Sequence, residues 1–445
     1  MKPLTLREIA DSCKGTLYGD PAIKITSIVT DSRQAGEGSL FAAIKGERAD
    51  GHDFIAQVKK QGASCVLCES APDEDIPYIL TPSTLVALKG IAKYYRSLFT
   101  IPFVGITGSV GKTSTKELIY SVLKEKYITH KTQGNFNNEL GVPLTLFALE
   151  EDAQAAVIEM GISDFSEMTR LSEMVCPDIS VITNIGCCHL ENLIDRDGVL
   201  KAKTEMFKYL REDGAIILCG DDDKLATIEE YRGIKPIFYG IDTGREYYAE
   251  NIAEDNLKGT FCTLCHKDTR IDVKIPAPGR HMVLNALAAM AVGETLGLSP
   301  DEIKRGVESF QNVGSRNRII DNGEYIVIDD CYNANPTSVK AGLDTLSRLS
   351  GRTVAVLGDM KELGTDEIIL HREVGAYAKE KGIDVLVACG PLAKSLAEGY
   401  GDKAVYFETV EKCSEKIRSI VRQGDTVLVK ASHSMHFEKI TDALK

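Results

Sequence analysis

The run Gly105-Ile-Thr-Gly108-Ser109-Val-Gly111-Lys112-Thr113-Ser114 follows directly on the apolar residues 101–104. A glycine-rich turn between a buried strand and a helix is an arrangement that holds phosphate. Backbone amides and the helix N-terminus attract phosphate oxygens, a lysine reaches the terminal phosphates, and a threonine hydroxyl is offered to Mg²⁺. The spacing is compact: the position where the usual loop carries its first glycine is Ile106, and Gly105, Gly108 and Gly111 instead give Gly-x-x-Gly-x-x-Gly-Lys-Thr. The expectation is a bound nucleoside triphosphate, with Gly108, Ser109, Gly111, Lys112, Thr113 and Ser114 around its phosphates.

Other chemistry-bearing residues stand where apolar runs end. Glu159 closes Ala-Ala-Val-Ile-Glu, and an acid at the carboxyl edge of a parallel strand can face the loop and hold Mg²⁺, or simply cap a helix in solvent. His189, close to Glu191, follows the run 179–183 and reads equally as a metal ligand or a satisfied surface group. Asn135, Asn137 and Asn138 crowd one loop; such amides orient ligands, but loops are polar for many reasons. Asp330, Tyr332, Asn333 and Asn335 lie at the end of another predicted strand. Lys203 by itself reads as a solvated helical lysine, and Asn285 as a polar residue on a helix without a defined role.

Placing these residues takes several elements. The 445 residues suit two to four domains rather than one core. In the first unit, residues 1–98, the periodicities predict helices over 6–13, 54–60 and 85–98, and strands over 25–30, 40–43 and 65–68. Residues 99–312 alternate strands (103–106, 156–158, 179–183, 215–218, 236–239) with helices (116–124, 166–172, 199–210, 223–230), then antiparallel strands within 246–275 and a buried helix over 281–296. This is the pattern of a parallel-sheet α/β domain. A third unit, 313–445, opens at the basic turn Gly314-Ser315-Arg316-Asn317-Arg318 and carries strands over 325–328, 353–357, 385–388 and 426–429.

A net charge of −13 argues against general nucleic-acid binding while leaving room for a local basic pocket. No apolar run reaches the ~20 residues of a bilayer span, and the N-terminal residues lack a secretory signal, so a cytoplasmic protein without a transmembrane segment is expected. Among the 12 cysteines, Cys65 and Cys68 lie three apart on a strand and point to opposite faces. Cys262-x-x-Cys265-His266 has the spacing of haem attachment but the setting of a hairpin, and reduced thiols are the expected state.

In this order, and over nearly the whole chain, the Thr107–Thr113 loop, Gly134-Asn-Phe-Asn-Asn138, Glu159-Met-Gly161, Asn184-Ile with His189, and Lys203-x-Glu205 resemble the ATP-dependent Mur ligases, cytoplasmic amide-forming enzymes of peptidoglycan precursor synthesis. Asp330-x-Tyr332-Asn333-Ala-Asn335-Pro336 and Leu357-Gly-Asp359-Met-x-Glu362-Leu-Gly364 are similar to the member that joins D-alanyl-D-alanine to UDP-N-acetylmuramoyl tripeptide. Asp31-Ser32-Arg33, Leu40-Phe41-x-Ala-Ile-x-Gly46 and Asp50-Gly51-His52-x-Phe54 are similar to its nucleotide-sugar-binding domain.

The resemblance implies a three-domain α/β architecture: a UDP-sugar domain, a central P-loop ATPase domain with a parallel sheet, and a Rossmann-like domain closing on ATP. It implies phosphorylation of the tripeptide carboxylate by ATP and attack of the dipeptide amine on the acyl phosphate. Lys112, Asn138, His189, Lys203 and Arg316 become the catalytic candidates. Thr113 and Glu159 would hold one Mg²⁺; His189 and a carbamylated Lys203 would hold a second. His281, Asn285, Arg316 and Asp330 would meet the nucleotide. Asp31, Ser32, Arg33, Gly46, Asp50 and His52 would meet the UDP-linked substrate, and Asn135, Asn137, Asn138, Tyr332, Asn333 and Asn335 the peptide substrates. A monomer is expected, with no nucleic-acid partner.

Two departures stand out. The family's frequent Lys-Gly-Ser-Arg is Lys430-Ala431-Ser432-His433 here, losing arginine's fixed fork, and Cys187-Cys188 replaces smaller residues before His189. Among rivals, the Mur-type ligase adding the third amino acid lacks its Asp-Asn-Pro-Arg segment here. Folylpolyglutamate-type ligases share the loop but not the Asp-Ser-Arg unit, and no Asn-Lys-x-Asp segment is present to read guanine.

Overall fold

Strands Phe103–Thr107, Ala155–Glu159 and Ile179–Ile182 are buried along their whole length, as continuous apolar runs at the centre of a parallel sheet should be. The computed structural model describes residues 1–46, 49–242, 244–314 and 316–445, so Ser315 of the expected boundary turn lies outside the described residues. The three strands are adjacent in a nine-stranded sheet, with Phe103–Thr107 between the other two. Their carboxyl ends therefore bring the phosphate loop, Glu159 and the segment after Ile182 to one edge. Thr129–Lys131 flanks one side of this group, and Ala215–Cys219 and Ile237–Tyr239 continue the parallel sheet on the other. Tyr247–Glu254, Thr260–His266 and Thr269–Ile275 extend it as an antiparallel meander.

The N-terminal unit is built on a five-stranded sheet. On its strand Cys65–Cys68, Cys65 packs into one core and Cys68 into the other, as a period of two requires. Helix Thr84–Ser97 buries Leu88, Ile91, Ala92 and Tyr95 and welds this unit to the central one. The Tyr95 hydroxyl donates to the Leu149 carbonyl at 2.8 Å, and Arg96 Nε donates to the Val175 carbonyl at 2.7 Å. One apolar core runs through both units. The C-terminal six-stranded sheet has its own cores on its two faces, so it meets the rest as a separate body.

Among the strands that escaped the sequence pattern are Thr129–Lys131, Arg318–Asp321 and Val405–Phe407. Each is at most four residues long and lies at a sheet edge, where half-exposure blurs the alternation. The helix expected over 223–230 is not there. Only the single 3-10 turn Leu225–Thr227 forms, because Asp222 Oδ1 accepts from the Lys224 and Leu225 amides at 3.0 and 2.9 Å. Leu225 alone is buried in that turn, so no apolar row carries the helix on. The helix expected over 199–210 is divided into Arg196–Thr204 and the 3-10 segment Glu205–Tyr209.

His371, on helix Glu367–Glu380, is fully buried beneath the Asp359–Glu362 loop. Its Nε2 accepts from the Met360 amide at 2.9 Å, so Nδ1 carries the hydrogen donated to the Glu367 carbonyl at 2.6 Å. Burial pushes its pKa below the ordinary 6.5. The unfolded chain takes up that proton near 6.5 and the folded chain only at lower pH, so stability falls as pH drops below about 6.5. His130 and His281, also depressed by burial, act with the same sign. Thermal melts from pH 7.5 to 5.5 are expected to show this loss, with a shallower slope for His371→Gln.

Candidate active site

The phosphate loop depends on two glycines. Gly108 has φ 153°, and a Cβ there would lie 1.9 Å from Thr183 Oγ1; Gly111, at φ 81°, caps the helix Lys112–Leu123. Asn184 clamps the loop, its Oδ1 accepting from the Val110 amide and its Nδ2 donating to the Val110 carbonyl, both at 2.9 Å. Ser109 Oγ accepts from the Gly186 amide at 2.8 Å and from Cys188 Sγ at 3.1 Å. Cys188, one departure from the family pattern, thus packs directly on the loop. Lys112 Nζ donates to the Gly108 carbonyl at 2.7 Å, spanning the space a phosphate would fill. Burial lowers its pKa, the Glu159 charge opposes that shift, and Arg316 adds to it from the C-terminal domain.

Glu159 is buried and held at both carboxylate oxygens and its amide, which removes the solvated-cap alternative. Thr113 Oγ1 donates to Oε2 at 2.9 Å, Asn137 Nδ2 donates to Oε1 at 2.8 Å, and the Glu159 amide donates to Thr132 Oγ1 at 3.0 Å. Lys116, also buried, stands 3.6 Å from Oε2 and donates to the Thr132 carbonyl at 2.8 Å. No group of three or more His, Cys, Asp or Glu side chains able to hold a metal occurs among the described residues. A metal here would take most ligands from phosphate and water, the habit of Mg²⁺, and the hard oxygens of Thr113 and Glu159 suit it.

Lys203 is not solvated. It lies at 1% exposure on helix Arg196–Thr204, and burial pulls its pKa down to about 8, with Cys188 opposing the shift and the Lys112 charge adding to it. His189 is no free surface group either: its Nδ1 lies 2.6 Å from Glu362 Oε2, which belongs to the C-terminal domain. With Nδ1 engaged, Nε2 remains for a ligand.

The C-terminal domain brings Arg316 with its guanidinium 4.0 Å over the Tyr332 ring, and His433 beside the same ring at 5.5 Å. Asp330 is paired with buried Lys430 at 2.5 Å, and Lys430 also donates to the Asn333 carbonyl at 2.9 Å. His281 Nε2 meets Asn317 Nδ2 at 3.3 Å across the domain boundary. Asn285 Oδ1 accepts from Thr115 Oγ1 at 3.0 Å, tying helix Arg280–Thr295 to the phosphate-loop helix.

Several expected substrate contacts have structural work in this arrangement. Asn138 Oδ1 accepts from the Gly141 amide at 2.8 Å, and Asn335 Oδ1 caps helix Pro336–Ser347 through the Ser338 amide at 2.9 Å. Asn333 Oδ1 accepts from the Ala334 amide at 2.9 Å, whereas Asn135 is exposed on its loop. In the N-terminal unit, His52 uses both ring nitrogens, Nδ1 with Asp50 at 2.6 Å and Nε2 with the Glu69 amide at 2.9 Å. The Gly46 amide donates to the Ala49 carbonyl at 3.0 Å, and residues 47 and 48 lie outside the described residues. Arg33, with a side chain 85% exposed beside Ser32, bonds Asp31 at 2.7 Å and holds that carboxyl at about 2. The sequence reading missed Thr132, Lys116 and Asn317, whose roles depend on tertiary neighbours, and gave Glu362 no role beyond its motif.

Family models match along the chain: the Mur ligase family catalytic domain over residues 24–90, the Mur ligase middle domain over 106–293, and the Mur ligase glutamate ligase domain over 299–433. The UDP-N-acetylmuramoyl-tripeptide–D-alanyl-D-alanine ligase of Bacillus subtilis (strain 168) is 36% identical, covering 99% of this chain and 98% of its own. That of Escherichia coli (strain K12) is 34% identical over 100% and 99%. A crystal structure of MurF from Acinetobacter baumannii superposes with a TM-score of 0.94 at 33% identity, covering 100% of this chain and 99% of that one. With this likeness running end to end, the chain belongs to the Mur ligase family, among the UDP-N-acetylmuramoyl-tripeptide–D-alanyl-D-alanine ligases.

Proposed function

We propose that this chain joins D-alanyl-D-alanine to UDP-N-acetylmuramoyl tripeptide, converting ATP to ADP and phosphate, through the units 1–98, 99–312 and 313–445. The observation that carries the reading is the convergence of Lys112, Glu159, Lys203 and His189 beneath a C-terminal domain that supplies Arg316 and Glu362, in a chain matched over its full length by enzymes named for this reaction.

A carboxylate does not condense with an amine in water, so the tripeptide carboxylate first attacks the γ-phosphorus of ATP and ADP leaves. The dipeptide amine then attacks the acyl carbon, and the tetrahedral adduct expels phosphate. Lys112 gives up the Gly108 carbonyl for the transferred phosphoryl, and Arg316 reaches it from the closing domain; fixed charges aimed where charge develops contribute most. Thr113 and Glu159 would hold one Mg²⁺, with Asn137 and Lys116 orienting the carboxylate, and His189 with a carbamate on Lys203 would hold a second. The metal supplies neutralisation of oxygen charge during both steps. His281 and Asn285 at the start of helix Arg280–Thr295 border the nucleotide. Closure excludes water that would hydrolyse the acyl phosphate.

One chain supplies every element of the site, so a monomer suffices, and among the described residues no helix is long and apolar enough to cross a membrane. A cytoplasmic setting, where ATP is abundant, fits that chemistry. The test is phosphate release with ATP and Mg²⁺ plus either substrate or both, with mass detection of the UDP-muramoyl pentapeptide. Tripeptides ending in diaminopimelate and in lysine are run in parallel. Product formed only with both substrates is expected. Phosphate release driven by an amino acid in place of the dipeptide would move the chain to another ligase of the family.

A further inference from the structure

His189 and its partner come from different bodies. His189 follows the central strand Ile179–Ile182, while Glu362 follows the C-terminal strand Thr353–Gly358, and the two domains have separate apolar cores. Beyond the 2.6 Å side-chain contact, the Leu190 amide donates to the Glu362 carbonyl at 3.0 Å. A Cβ on Gly364 would come within 3.3 Å of the Glu191 amide nitrogen, so the two backbones are closely apposed. Both paired residues are left-handed, His189 at φ 52° and Glu362 at φ 65°. Neither is glycine, and such backbone persists where surrounding contacts over-determine it.

We infer that Glu362 is a positioning residue that completes the second metal position only when the C-terminal domain is closed, by taking His189 Nδ1 and presenting Nε2 to the metal. The inference rests on the reading of His189 as a ligand. A carboxylate on the far nitrogen of a metal-binding imidazole fixes its tautomer and orientation and raises its basicity. Here the carboxylate belongs to a domain with its own apolar cores, so metal binding and closure are linked, and each strengthens the other by the same factor. The Glu362 side chain is 58% exposed, which places the expected effect near the lower end, about tenfold in metal affinity.

Manganese bound per chain is counted by electron paramagnetic resonance, with a non-hydrolysable ATP analogue and UDP-muramoyl tripeptide present, and closure is followed by small-angle scattering. Glu362→Gln is expected to weaken the second Mn²⁺ about tenfold and leave the first within twofold. Glu362→Gly should do the same with folding intact, since φ 65° suits glycine. Arg348→Gln breaks another interdomain ion pair, to Glu254, and should leave the second Mn²⁺ within about twofold. In the scattering, withholding the second metal should open the wild type but scarcely change Glu362→Gln. If His189→Ala keeps the second Mn²⁺, the ligand reading itself fails. If His189→Ala loses it while both Glu362 variants bind normally, or Arg348→Gln weakens it equally, the linkage is overturned and the ligand reading stands.

Discussion

Lys112→Ala is expected to retain less than about a thousandth of the wild-type ligation rate, a loss of about 4 kcal/mol in the transition state. The size follows from where the ammonium sits. In this structure Nζ contacts the carbonyl of its own loop at Gly108, a position a phosphate oxygen would take over. As the γ-phosphoryl transfers, charge accumulates on oxygens that water cannot reach, and no nearby side chain replaces the missing cation. Arg316 already has its own place on the transferred group in the wild type and cannot also fill that of Lys112, and Lys203 has been driven towards its neutral form. Folding should survive, because the loop is held by Asn184, Ser109 and the two glycines rather than by Lys112. The checks are kcat by mass-detected product and a melting curve within a few degrees of wild type. Turnover near the wild-type rate would remove Lys112 from the phosphate site.

The elements that the sequence displayed most openly were those whose chemistry is local. The phosphate loop, Glu159 at a strand end and the buried helix Arg280–Thr295 each announce themselves within a dozen residues. Edge strands such as Val405–Phe407 did not, because a half-exposed strand of three residues has no period to detect. The spurious helix over 223–230 came from a period too short to outweigh the side chain of Asp222, which captures the first amides of the turn. In the site, Lys203 and Glu362 mark the limit. Nothing near Lys203 in sequence says that it is buried; that depends on tertiary neighbours, with Cys188 and Lys112 close enough to act on its charge. The partner of His189 lies in a different domain, and no local pattern encodes such a pairing. Asn335, expected from its motif to meet the peptide substrates, has its side chain turned to the cap of helix Pro336–Ser347 instead.

Lys203→Ala should lose ligation by at least about a hundredfold, and short carboxylates such as acetate or formate should restore part of it. The amine must be neutral to attack CO₂ and form a carbamate, releasing a proton. With its pKa at about 8 instead of the ordinary 10.5, roughly a quarter of Lys203 is neutral at pH 7.5, against roughly a thousandth otherwise. Burial therefore does two things at once. It raises the fraction able to react, and it penalises the ammonium in a site where the carbamate would be compensated by metal. The sign on pH follows: below pH 8 protonation competes increasingly with CO₂, so the CO₂ dependence of wild-type activity should deepen from pH 8 to pH 6.5. Folding carries the opposite interest. The unfolded chain keeps the proton up to 10.5 and the folded chain only up to about 8, so this lysine destabilises the fold at neutral pH and its removal should raise the melting temperature. A carbamate carbon signal from ¹³CO₂ in the wild type, absent in Lys203→Ala, separates this chemistry from a simple cation. Loss of activity without that signal and without carboxylate rescue would mean that Lys203 acts as an ammonium. Full activity in Lys203→Ala would remove it from the site altogether.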